Sequence, residues 1–265
     1  MAGDGIAVNV RGLAYSYRSP RGVGRVLSGL SFDVRIGEVV SVVGSSGAGK
    51  STLLHILSRL IAPDEGTVEF PAFEAAPRIG YMFQSNGTFP WRTVERNLTY
   101  SMEVRGAARV ERKSRAWELC LMVGLDPAQH LAKYPSELSG GQLRRVELAM
   151  AFAELPQILL VDEPTSSVDW ITRRQLQRMI QDVVSTSGVT LIVVTHDIEE
   201  AVWLSDRVIA LGNGSVADSI EINLPRPRTD ELRTTEAFRV SEDRIIQTLT
   251  DSVLLTPSLP DEKLT

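Results

Sequence analysis

The octapeptide GSSGAGKS, Gly44 to Ser51, constrains the fold more than any other feature of this chain. It follows the apolar run VVSVV, Val39 to Val43, and leads into KSTLLHILSRL, where Leu53, Leu54, Leu57 and Leu60 are spaced to cover one side of a helix. A glycine-rich loop between a buried strand and a helix is the context that makes the pattern GxxxxGK[ST] a specific phosphate-loop signal. Glycines let the main chain wrap phosphates, the N–H groups and the helix N-terminus favour their negative charge, Lys50 reaches the β and γ groups, and Ser51 ligates Mg²⁺. The expected nucleotide-binding residues are therefore Gly44, Ser45, Gly47, Ala48, Gly49, Lys50, Ser51 and Thr52.

The rest of the chain is organised around that loop. Before it, AVNVRGLAYSY and VLSGLSFDV read as strands separated by turn signals, which predicts an N-terminal antiparallel β subdomain. After it come two short strands, GTVEF and RIGYMF, and then a mostly helical insertion from Trp91 to about Gln129, with Gly106 and Gly124 as stops. From Leu138 onward helices alternate with the strands Ile158 to Val161, Thr190 to Val194 and Arg207 to Leu211, a pattern that means a parallel sheet covered by helices. VIALGNGSVADS predicts a hairpin turning at Asn213-Gly214. With 265 residues, 43% of them hydrophobic and 23% charged, the expected result is one compact α/β body spanning 1–224, its helical subdomain at about 91–150, and a tail over 225–265. That tail reads as polar and irregular apart from the amphipathic stretch EDRIIQTLTDSVLL.

Three further elements carry chemistry. ILLVDEP is a strand buried on both faces that ends in two carboxylates at the ligand-binding edge of an open α/β sheet. Neighbouring strand residues point opposite ways, so Asp162 is assigned to the metal and Glu163 to the general base that takes or positions water at the γ-phosphate. His196 lies two residues past the apolar strand TLIVV, placed to hydrogen-bond the γ-phosphate, and Gln84 ends RIGYMFQ, uncharged and able to touch both Mg²⁺ and water. The third element is LSGGQ, Leu138 to Gln142. Ser139 and Gln142 match a helix-start capping box, but the box does not explain Gly140 and Gly141, each costing about 1 kcal/mol against alanine within a helix. Adjacent glycines at a helix N-terminus allow close approach to an anion. One nucleotide meets both phosphate-binding ends only if a second copy supplies the other one, in a head-to-tail pair that sandwiches two nucleotides.

Composition excludes several classes. A net charge of −5 argues against general nucleic-acid binding, and the pairs Arg144-Arg145 and Arg173-Arg174 read as solvated helix faces. The single cysteine, Cys120, cannot form an internal disulfide and sits on a helical pattern as a small core residue, which fits a reducing compartment. No secretory signal is read at the start, and apolar runs fall far short of the ~20 residues of a membrane span.

Together GSSGAGKS, Gln84, LSGGQ, ILLVDE, SSVD and His196 resemble the ATP-binding subunit of ABC transporters, over nearly the whole chain to about Leu224. The resemblance implies ATP and Mg²⁺ as cofactors, hydrolysis at a second-subunit interface formed by the same or a related chain, and Ser139 to Gln142 on the partner's γ-phosphate. It implies that Tyr17 stacks on adenine, with Tyr15 as rival, and that Asp169 belongs to the loop joining the two sites. Ser167-Val168 stands where members of the family often have Ala-Leu. FQSNGTFPWRTVERNL is similar to the corresponding segment in importers of nitrate, aliphatic sulfonate and taurine, matching at Pro90-Trp91 and Thr93-Val94 and departing at SNGTF; LPRPR, Leu224 to Arg228, is shared with the same group. This implies a peripheral subunit on the cytoplasmic face of the cell membrane, bound to transmembrane permease subunits and served indirectly by a solute-binding protein. Phe89 and Trp91 either meet the permease or pack within the insertion. The competing readings are a soluble non-transport ATPase of the same type and an exporter ATPase.

Overall fold

A computed structural model describes residues 5–20, 22–85, 87–166 and 168–254. In chain order the elements are β1 (Ile6–Ser19), β2 (Gly22–Arg35), β3 (Val39–Gly44), α1 (Lys50–Leu57), β4 (Glu65–Glu69), β5 (Ile79–Met82), α2 (Val94–Leu98), α3 (Tyr100–Val104), α4 (Arg109–Met122) and α5 (Pro127–His130). They continue with α6 (Gly140–Ala151), β6 (Ile158–Asp162), α7 (Trp170–Ser187), β7 (Thr190–Val194), α8 (Ile198–Leu204), β8 (Arg207–Gly212), β9 (Ser215–Glu221) and α9 (Glu236–Leu254).

Among the described residues the strands form two sheets, β2-β1-β4 and β5-β6-β7-β3-β8-β9. The first is antiparallel; in the second β5, β6, β7, β3 and β8 run parallel and β9 returns antiparallel. The expected fold class is thus met: a P-loop core on a parallel sheet, an antiparallel β subdomain before it and a helical insertion. The β8–β9 hairpin turns at Asn213 and Gly214, whose φ values of 51° and 76° are the left-handed pair that a two-residue type I′ turn needs.

Why the parallel strands read as unbroken apolar runs is visible in their burial. Val40, Val42, Ile158, Leu160, Ile192 and Val194 point to one side of the sheet, onto Leu53, Leu54 and Leu57 of α1 and the inner face of β1–β2. Leu159, Val161, Leu191 and Val193 point to the other side, onto Val146 and Ala149 of α6, Ile180 and Val184 of α7, and Ala201 and Leu204 of α8. Each fully buried leucine there contributes about 1.5–3 kcal/mol.

Two expectations are corrected. The helix after the phosphate loop ends at Leu57: Arg59 is left-handed, with φ 63°, its N–H reaches Ile56 O and that of Leu60 reaches His55 O, which closes a Schellman turn and leaves Leu60 exposed. From Pro225 to Leu254 the chain is structured rather than irregular. Its helix α9 begins at Glu236, ahead of the amphipathic stretch, and buries Phe238 and Ile245, two turns apart on one face, against the body. Ser167, Asn86 and Leu255, each part of a motif quoted above, lie outside the described residues.

Candidate nucleotide site

The phosphate loop runs from the end of β3 into α1. Gly49 caps α1 in the left-handed conformation, φ 90°, and a Cβ built on it would lie 2.6 Å from Leu27 Cδ2, so only glycine fits this corner. Lys50 folds back, its ammonium donating to Gly44 O at 2.8 Å and Ser45 O at 2.9 Å. Burial lowers the Lys50 pKa, opposed by the nearby Glu163 and Asp162 carboxylates. Lys50 thus points into the loop, between the backbone that wraps phosphates and the carboxylates at the end of β6.

Three side chains from distant segments converge beside it. Gln84 Nε2 donates to Glu163 Oε2 at 2.8 Å, and His196 Nδ1 lies 3.1 Å from Glu163 Oε1. These residues follow β5, β6 and β7, which are adjacent in the sheet and parallel, so their C-terminal ends share one edge. Glu163 holds φ 46°, a left-handed turn that lifts its side chain off the strand. Tyr17, Gly47, Gly49, Lys50, Ser51, Thr52, Gln84, Glu163 and His196 line a single cleft of about 590 Å³, together with Val26 and Ser46, which the sequence reading missed. Gly44, Ser45 and Ala48 form the loop behind this lining. Of the two tyrosines of β1, Tyr17 is the exposed one, its hydroxyl 3.3 Å from Thr52 Oγ1, whereas Tyr15 packs against the core with its ring edge-on to Tyr17.

Asp162 lies beneath, 4% exposed, with Oδ1 buried and without a partner. Burial raises its pKa, and a hydrogen bond from Ser51 opposes that rise. An orphaned carboxylate oxygen beside a serine hydroxyl offers oxygen donors that fit a hard divalent cation such as Mg²⁺, which leans on one or two protein oxygens plus phosphates rather than a protein cage. Correspondingly, among the described residues no three His, Cys, Asp or Glu side chains converge on one point.

Ser139, Gly140, Gly141, Gln142 and Asp169 are not among the residues lining this cleft. The capping box at α6 is formed: Ser139 Oγ accepts from Gln142 N at 3.3 Å and Gln142 Oε1 from Ser139 N at 3.0 Å. The two glycines separate cleanly. A Cβ on Gly141 would sit 2.5 Å from Thr172 Cγ2, so internal packing asks for glycine there; a Cβ on exposed Gly140 meets nothing within 4 Å. Asp169 caps α7, accepting from Thr172 N and Thr172 Oγ1, bonds that lower its pKa.

The reading of Arg144-Arg145 as a solvated pair is corrected. Arg145 is half-buried and bonds to Val123 O and Gln175, but Arg144 is 8% exposed, salt-bridged to Glu147 and hydrogen-bonded to main-chain carbonyls. Those carbonyls, of Phe83 and Gln84, lie 61 and 60 residues away in sequence, which a helical pattern cannot reveal. Arg173 and Arg174 are partly exposed and paired with Asp197 and Glu199. Phe89 packs on Trp91 and Tyr100, yet Trp91 itself is 73% exposed.

A phosphate loop on the central strand of a parallel sheet, with a buried aspartate, a carboxylate, a glutamine and a histidine along one edge, defines a P-loop nucleotide hydrolase. The model of the ABC transporter family matches residues 27–166. The aliphatic sulfonates import ATP-binding protein SsuB 1 of Shouchella clausii (strain KSM-K16) is 39% identical over 223 residues, covering 84% of each chain. The nitrate import ATP-binding protein NrtC of Synechococcus elongatus (strain ATCC 33912 / PCC 7942 / FACHB-805) is 39% identical over 210 residues, which are 76% of this chain and 32% of that longer relative. A dimeric post-hydrolysis structure of the ATP-binding cassette MJ0796 bound to ADP and Pi superposes with a TM-score of 0.73 at 30% identity, over 82% of this chain and 100% of that one. This chain belongs to the ABC transporter family and is its ATP-hydrolysing cassette.

Proposed function

We propose that this chain is the motor subunit of an importer for a small anion of the sulfonate, nitrate or taurine type, working as a head-to-tail pair with two ATP between the subunits. In this reading residues 1–224 are the motor body and residues 225–265 its tail. The observation that carries the reading is the convergence of Gln84, Glu163 and His196 on the phosphate-loop cleft. Gly140 adds to it: exposed, helical and under no steric demand from its own chain, it has the freedom that close approach to a partner's phosphate requires.

In the chemistry we assign, the loop amides and Lys50 hold the phosphates, and Tyr17 offers its exposed ring to the base. Glu163 takes the proton of a water that Gln84 orients, while His196 donates to the γ-phosphate and steadies Glu163 through the bond they share. Bound Mg²⁺, held by Ser51, Asp162 and Gln84, would neutralise charge developing on the phosphates. Ser139 to Gln142 of one subunit complete the site of the other, and Asp169 lies beside that junction. Similarity to the SsuB and NrtC import proteins supports import and the anion class. In this reading the motor works against transmembrane permease subunits, from the cytoplasmic face of the membrane where ATP is supplied. No helix among the described residues is long and apolar enough to cross a membrane itself.

The test is Glu163→Gln. It keeps the shape and removes the base, so ATP binding is retained while turnover falls by about 10²–10⁴-fold, the usual weight of a general base. Wild-type turnover in this variant would overturn the assignment. Copurification of the trapped protein with a multi-span permease from native membranes tests the transport role, and soluble partners alone would count against it.

A further inference from the structure

We infer that Arg144, held by Glu147, is a positioning residue for hydrolysis: it ties helix α6 to the two loops that carry Gln84 and Glu163. The inference rests on the reading of those two residues given above.

The pair faces the loop that leaves the sheet after β5. Arg144 Nη1 donates to Glu147 Oε2 at 2.9 Å and to Phe83 O at 3.2 Å; Nη2 donates to Gln84 O and, at 3.3 Å, to Ser166 Oγ. Glu147 Oε1 accepts the N–H of Gly87 at 3.1 Å, so the pair grips the Gln84 loop on both sides. Ser166 Oγ donates in turn to Glu163 O at 3.0 Å. With the Gln84 Nε2 to Glu163 Oε2 bond, these contacts close a ring: guanidinium, Gln84 main chain, Gln84 side chain, Glu163 side chain, Glu163 main chain, Ser166 hydroxyl, guanidinium.

Such a pair is a poor device for stability alone. Both partners are nearly fully buried, and apolar residues of similar volume would do as well once the cost of stripping water from two charges is counted. What apolar residues cannot do is fix the direction of two carbonyls and a hydroxyl at once, which the planar fork of arginine does. The helix concerned also carries Gly140, and Arg144 is four residues further along it, roughly 6 Å at 1.5 Å per residue. A shift of the α6 N-terminus is therefore delivered to Gln84 and Glu163 through a stiff rod and one guanidinium.

The test compares wild type, the double variant Arg144→Gln with Glu147→Gln, and Arg144→Lys, all in the full chain. The double variant removes both charges together and avoids leaving one of them buried alone; Arg144→Lys keeps the charge opposite Glu147 but replaces the fork with a point. ATP affinity in EDTA, melting temperature, and kcat and KM with Mg²⁺ are measured for each. We expect affinity, KM and melting temperature near wild type and kcat lower by on the order of 10–100-fold, the effect of an ångström-scale misplacement of reacting groups. A wild-type kcat in either variant overturns the inference, as does a loss of kcat that only follows a loss of melting temperature. Glu163→Gln is run alongside: if it alone is dead, the site reading stands and the ring has failed; if it turns over normally, the site reading has failed and the inference falls with it.

Discussion

Gly140 and Gly141 are neighbours with the same side chain and opposite expected responses to the same substitution. Gly140 is the first residue of α6 with open space where a Cβ would go, so Gly140→Ala gains helix propensity at no steric cost. About 0.5–1 kcal/mol is expected, the upper end being the value for a helix interior. For a chain of this size that raises the melting temperature by about 1–4 °C. Yet the same methyl stands between the helix N-terminus and any phosphate presented by a partner subunit. Loss of one charge-assisted hydrogen bond, about 1.5–3 kcal/mol, would slow turnover roughly 10- to 150-fold. Gly141→Ala instead drives its Cβ to 2.5 Å from Thr172 Cγ2 and costs about 1–3 kcal/mol of overpacking. Adding Thr172→Ser removes that methyl, keeps the hydroxyl that bonds Asp169, and should recover the loss. Differential scanning fluorimetry without nucleotide gives the stabilities, and a coupled ATPase assay at saturating ATP gives the rates. A Gly140→Ala protein that is stabilised and fully active would refute the reasoning, because nothing would then approach that position closely.

Two further outcomes follow from burial. Glu200 is fully enclosed, its pKa raised by burial against hydrogen bonds from Thr165, Thr195 and Gln177. A raised folded-state pKa gives stability that is full below the unfolded value of about 4.3 and is lost as pH rises through the folded value. Glu200→Gln has no such loss, so its urea midpoint should gain on wild type between pH 4 and pH 8; a constant difference would contradict this. Burial, aided by Asp126, pushes the Cys120 thiol up to about 11. At pH 8 only roughly a thousandth is thiolate, so iodoacetamide should label it slowly in native protein and quickly in urea, and fast native labelling would show that α4 is open.

The sheet was legible because strands buried on both faces read as near-continuous apolar runs such as ILLV and TLIVV, and Gln84, Glu163 and His196 were legible as residues just past strands. Their mutual hydrogen bonds followed from a strand order that puts β5, β6 and β7 side by side. Arg144 was not legible: on a helical pattern it reads as solvated, and only the carbonyls of Phe83 and Gln84, sixty residues back, make it a buried cation. Arg228 is similar. Its guanidinium donates to Val202 O, Trp203 O and Ser205 O at the end of α8, acceptors that exist only once that helix has ended. In α9 the spacing of Phe238 and Ile245 was present in the sequence, but the first of them precedes the stretch whose periodicity stood out.

Strand β3 lies between β7 and β8, and Gly37 N bonds Thr190 Oγ1 across 153 residues of chain. On the ribosome the nucleotide loop is therefore made early and seated late, since its strand has no parallel neighbour until β7 and β8 have been translated. Such non-local pairing is slow to form and leaves sheet edges open in the meantime. A chain that stalls before β7 leaves β3 without either of its neighbours, so the loop that follows it has no sheet edge on which to be seated.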